Sequence, residues 1–77
     1  MNDEEKFRAE VRNTLEEFKK KLDEYDDLFS KDPLFAIILA IPYAIETNLI
    51  SAKYDFDDEK KNKIIKEELN DVLGTKE

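Results

Sequence analysis

The chain reads as an all-α protein, a small helical bundle of three segments. Three observations lead there. Apolar residues recur every three or four positions rather than every second one, the mark of helices buried along one side. The only glycine is Gly74, so the tight turns that a sheet of this size needs have no residues to make them. The abundant residue types (Glu, Lys, Leu, Ile and Asp) are mostly good or tolerated helix formers. At 77 residues there is room for a single domain, 1–77, with a thin core.

The first segment spans about Asp3 to Phe29. Val11, Leu15, Phe18, Leu22, Tyr25 and Phe29 follow one another at steps of four and three, with charged residues between them. Asn2 or Asp3 is placed to cap the start, and Glu4 and Glu5 suit the positive end of the helix dipole. A long N-terminal amphipathic helix is expected. Ser30-Lys31-Asp32-Pro33 then breaks the chain and restarts it, with Asp32 as cap and Pro33 at the first helical position, where its missing N–H costs nothing. The connection is short, so the second segment should fold back antiparallel to the first.

That second segment, Pro33 to about Tyr54, carries the unusual composition. Residues 33–45 hold no charge, and Glu46 is the only acid before Asp55. Pro42 removes a backbone donor in the middle, so a kink or break is expected near Ile41. Projected on a helix, Leu34, Ile38, Ile41, Ile45 and Leu49 share one face. Phe35, Leu39, Tyr43, Glu46 and Ile50 share the neighbouring one, and Ala36, Ala40, Ala44, Asn48 and Ala52 a third. The simplest account is a Pro-kinked apolar central helix packed between the other two.

The third segment opens in the cap-rich Asp55-Phe56-Asp57-Asp58-Glu59 and runs to Leu73. Its stripe is Ile64, Ile65, Leu69, Val72 and Leu73, with Gly74 as the stop.

The same inventory removes most chemistries. Without Cys, His or Trp there is no disulfide framework, no Cys/His zinc site, no Cys nucleophile and no His-based acid–base centre. Asp55, Asp57 and Glu59 imitate the first three ligands of a calcium loop, but Lys60 and Lys66 occupy the positions that require Gly and the final acid. Glu24-x-x-Asp27 and Glu67-Glu68 with Asp71 resemble fragments of the carboxylate signatures of helical magnesium-dependent nucleotide pyrophosphohydrolases, in the wrong order along the chain. An enzyme is not expected, nor any metal or cofactor.

Charge narrows the partners. The net charge of −7, from 20 acids and 13 bases, repels phosphate and argues against direct nucleic-acid binding. Lys19-Lys20-Lys21 pairs naturally along its own helix with Glu16 and Glu17. The 13 uncharged residues before Glu46 are too few for a bilayer span, and only Lys31 and Lys53 flank them, so membrane contact is disfavoured. The acidic start shows no secretory or lipidation signal, and a cytoplasmic location is expected.

What remains is surplus apolar surface. An all-round apolar helix in so small a domain calls for burial by another chain. The expected function is a non-catalytic protein–protein interaction module, a homo-oligomer or one whose core a partner protein completes, with Phe35, Leu39, Tyr43, Glu46 and Ile50 at the interface. Two alternatives accompany it. One is a small acidic inhibitor or nucleic-acid mimic that fills a basic groove through Asp23, Glu24, Asp26, Asp27, Asp55, Asp57, Asp58 and Glu59. The other is a protein of the membrane surface.

Overall fold

The structure, a computed structural model, describes residues 2–74. Among them are four helices in chain order, α1 (Asp3–Glu24), α2 (Asp26–Lys31), α3 (Pro33–Ala52) and α4 (Asp58–Leu73), and no strand. The all-α class expected from the sequence is therefore the one the chain adopts.

α1, α3 and α4 each start at a residue whose side chain caps them. The Asn2 side chain accepts from the Glu5 N–H at 2.9 Å while Glu5 accepts from the Asn2 N–H at 3.1 Å, a reciprocal box that satisfies two free donors of α1. Asp32 accepts from the Leu34 N–H at 3.1 Å, with Pro33 in the first turn of α3. Asp57 accepts from the Lys60 N–H at 2.8 Å and opens α4. Gly74 closes α4 in the left-handed conformation, φ 68°, and donates to the Asn70 carbonyl at 2.9 Å.

Two expectations need correction, and one alternative is settled. The first segment is two helices, not one: α1 ends at Glu24, and Tyr25, at φ −110° and ψ 23°, redirects the chain into α2. A single helix would have stacked Asp23, Glu24, Asp26 and Asp27 on its negative end. The break instead puts Asp26 and Asp27 in the first turn of α2, where the dipole favours them. At Pro42, where the sequence leaves a kink or a break open, α3 is a single helix from Pro33 to Ala52. The carbonyl of Ile38, deprived of its donor, belongs to an exposed stretch in which Ile38, Ile41 and Pro42 all meet solvent, so water can replace the missing bond.

Second, α3 is central along the chain, but the helix packed between the other two is α1. It packs against α4 on one side and α3 on the other, while α2 packs against α3. Phe18 meets Tyr43 with ring centroids 5.2 Å apart, and Lys53 at the end of α3 reaches Glu10 near the start of α1, so α3 runs antiparallel to α1. Lys60 pairs with Glu4 at 3.1 Å and Asp71 with Arg12, so α4 runs parallel to α1.

The core follows from that order. Phe7, Val11 and Leu15, four apart on α1, are buried with Ile64 and Val72 of α4 and Ile50 of α3. Tyr54 and Phe56, in the link between α3 and α4, close over Phe7 at 5.2 and 5.8 Å. The buried stripe of α4 is Ile64, Glu68 and Val72, with a carboxylate at its centre. Arg8 and Arg12, one turn apart on α1, each take one oxygen of Glu68, at 3.1 and 2.8 Å, so the buried acid is fully paired. Arg8 also holds Glu67 at 2.8 Å, and Arg12 holds Asp71. The main ion pairs thus cross between helices. Glu16–Lys20 and Glu17–Lys21 do not form, and the pairs along α1 are Arg8–Glu4 and Lys21–Glu24.

Candidate interaction surface

α3 has an inner and an outer side, and the division differs from the expected one. Of the residues assigned to an interface by sequence, Phe35, Leu39 and Tyr43 are half-buried and Ile50 is buried, all turned toward the rest of the molecule. Phe35 packs on Tyr25 and Phe29 with centroids 5.8 and 5.7 Å away, and Tyr43 on Phe18. Glu46 is exposed. The aromatic residues of α1 and α2 select the aromatic stripe of α3 because rings of that size fill the gap between the helices and gain from edge and tilted contacts.

The consequence is an aliphatic face pointing away from the core. Leu34, Ile37, Ile38, Ile41, Ile45 and Leu49 are 51–64% exposed. At 100° per residue, Ile41 and Ile45 stand nearly opposite Tyr43, so this arc lies on the far side of α3 from α1. No lysine or arginine lies within α3, and its only charge is Glu46. The sequence displayed the stripe Leu34–Ile38–Ile41–Ile45–Leu49 plainly. It contained no signal for which of two adjacent apolar stripes would face α1, apart from the aromatic character shared by Phe18, Tyr25, Phe29, Phe35 and Tyr43.

A groove beside this face extends it. About 370 Å³ opens between α3 and α4, with Leu15 and Phe18 of α1 as its floor, Ala40 and Ala44 on one wall, and Ile65 and Leu69 on the other. The small residues of α3 therefore face a gap rather than a tightly packed neighbour.

α3 is longer than the uncharged stretch suggested. Its 20 residues are long and apolar enough, by length and composition, to cross a membrane, which corrects the reading of that stretch as too short. In this fold the charge-rich helix α1 lies alongside α3 and runs antiparallel to it.

The acidic residues form two separate groups. Asp23, Glu24, Asp26 and Asp27 lie at the α1–α2 junction, and Asp55, Asp57, Asp58 and Glu59 at the start of α4 beside the beginning of α1, so they occupy opposite ends of a body 42 Å long. All eight are exposed, and Asp57 is engaged in capping α4. Among the described residues no group of three or more acids is arranged to hold a metal ion.

A second electrostatic cluster lies at the α3 exit. Glu10 is paired with Lys53 and accepts from the Tyr54 hydroxyl. The Lys53 hydrogen bond, then that of Tyr54, lowers the Glu10 carboxyl below its ordinary range. The Glu10 carboxylate pushes the Tyr54 phenol up to about 12, with burial adding to the shift. At the other edge of the core, Lys60 lowers Glu4. Hydrogen bonds to Glu67 and to Asp71 raise the Arg8 and Arg12 guanidiniums, respectively. These groups pair with one another and fasten helices together.

No protein family matches this chain, and no curated protein or solved structure matches it either.

Proposed function

We propose that the protein is a non-catalytic interaction module that self-associates through the outer face of α3. One observation carries this reading: six large aliphatic side chains, 51–64% exposed, form one face of a helix that has a single charge. Single exposed leucines are ordinary, but a contiguous apolar patch of this kind is what protein-binding surfaces present. The charge pattern agrees. The net charge divides into −4 before Pro33 and −3 after Tyr54, leaving the α3 segment neutral, so the face least repelled by a second acidic copy is this one.

The alternatives have less support. A helix on an anionic membrane surface relies on lysine and arginine beside its apolar face, and α3 has none between its ends. An acidic inhibitor relies on one continuous negative surface, whereas the two acidic groups lie at opposite ends of the molecule.

Sedimentation velocity over micromolar concentrations tests the proposal. The wild-type chain is expected to sediment as a multimer and the Ile38→Glu/Ile41→Glu double variant as a folded monomer. The dissociation constant should weaken by more than about 100-fold, since each buried Ile contributes ~1.5–3 kcal/mol. A wild-type chain that stays monomeric at tens of micromolar overturns it.

A further inference from the structure

We infer that the assembly joins α3 to α3 of a second copy, antiparallel, about a two-fold axis that passes beside Ile41. This rests on the self-association proposed above and adds which copy-to-copy geometry the face can form.

A two-fold interface is made by one patch meeting itself, so it must be complementary to its own reverse. The outer stripe of α3 has that property. Leu34, Ile38, Ile41, Ile45 and Leu49 read Leu-Ile-Ile-Ile-Leu from either end. Antiparallel alignment sets Leu34 opposite the second copy's Leu49 and Ile38 opposite its Ile45, while the two Ile41 side chains meet beside the axis. All five are more than half exposed, so each has surface to lose.

Charge selects the same direction. In a parallel pair the two Glu46 carboxylates would lie at one level and the helix dipoles would align. In the antiparallel pair Glu46 falls level with the uncharged Ile37 and the dipoles oppose. The neighbouring groove gives the second helix room. Ala40 and Ala44 make a low wall, so a helix leaning toward α4 can lay its leucine and isoleucine side chains over Ile65 and Leu69.

The area is sufficient. The six exposed aliphatic residues present on the order of 600 Å² per copy, and about 1,200 Å² in the pair reaches the lower bound of a specific, stable interface.

The absence of native cysteine makes the test direct. Ile41→Cys, Leu34→Cys and Leu49→Cys are made singly, one carrying a size tag, and oxidised mildly in the full chain. Two-fold antiparallel pairing predicts that Ile41→Cys cross-links to itself. It also predicts that Leu34→Cys cross-links to Leu49→Cys in a mixture and that each of those two alone loses the self-cross-link. Self-cross-linking of both Leu34→Cys and Leu49→Cys would mean a parallel pair and overturns the inference. A wild-type dimer by sedimentation, with none of the three variants cross-linking, also overturns it and leaves self-association through another face standing. A wild-type monomer overturns both readings, and co-flotation of that monomer with phosphatidylcholine vesicles would assign the face to lipid.

Discussion

The two flanks of α1 are built on different chemistry. Toward α4, a short apolar stripe of Phe7, Val11, Leu15, Ile64 and Val72 is buried, and its borders are sewn with charge: Arg8 and Arg12 on Glu67, Glu68 and Asp71, and Lys60 on Glu4. Toward α3, a helix far richer in apolar residues buries only Ile50 completely and holds on through aromatic contacts. The less hydrophobic helix is the better buried. Burial depends on having one apolar stripe with polar edges that end the contact where water begins. α4 has that outline. α3 is apolar most of the way round, so one inner face satisfies α1 and the remainder stays open.

That contrast can be tested where it is strongest. Phe7 is fully buried beneath Tyr54 and Phe56, so Phe7→Ala should cost about 3–5 kcal/mol, most of the stability of a domain this small. Urea unfolding followed by circular dichroism reads the loss. A variant that keeps its midpoint would show that the α1–α4 side does not dominate stability.

A smaller effect belongs to the junction of the two sides, where Glu10 binds Lys53 and Tyr54. The Tyr54 phenol titrates near 12 when folded against an ordinary value of 10, so the folded state holds its proton more tightly. Its contribution is complete below pH 10 and is lost as the pH rises from 10 toward 12. Glu10 behaves oppositely: its carboxyl is lowered, so its contribution is present above the ordinary value of 4.5 and is lost as the pH falls through the folded value. The alkaline decline should be shallower in the stability profile of Tyr54→Phe, and an unchanged profile would remove this latch from the account.

The smallest effect on the protomer is expected on the outer side of α3. Ile45→Gln should change the unfolding free energy, extrapolated to low protein concentration, by less than about 0.5 kcal/mol while weakening association. A large loss of protomer stability there would mean that the face contributes to this chain's own fold.

Much of the architecture was legible in the residues. Asn2, Asp32, Asp57 and Gly74 mark helix ends through side-chain hydrogen bonds or a left-handed backbone, and these act locally. The break at Tyr25 was less legible, because the apolar spacing runs through it and only the massed acids against the helix dipole hint at it. Glu68 was missed as a buried residue, although it stands four positions from both Ile64 and Val72, facing two arginines one turn apart. A periodicity that tracks only apolar residues passes over a charge whose partners lie more than fifty residues away.

By itself, then, the sequence determined the all-α class, the helix ends, the absence of Cys and His chemistry, and the presence of more apolar surface on α3 than two neighbours can cover. These follow from composition, spacing and bonds within one turn. Only the tertiary structure decided that α1 is packed between α3 and α4, that Phe35, Leu39, Tyr43 and Ile50 face inward, and that Leu34, Ile38, Ile41, Ile45 and Leu49 face out. Two apolar stripes on one helix are equivalent until something packs against one of them. The aromatic rings of α1 and α2 made that choice, through contacts between residues distant in the chain.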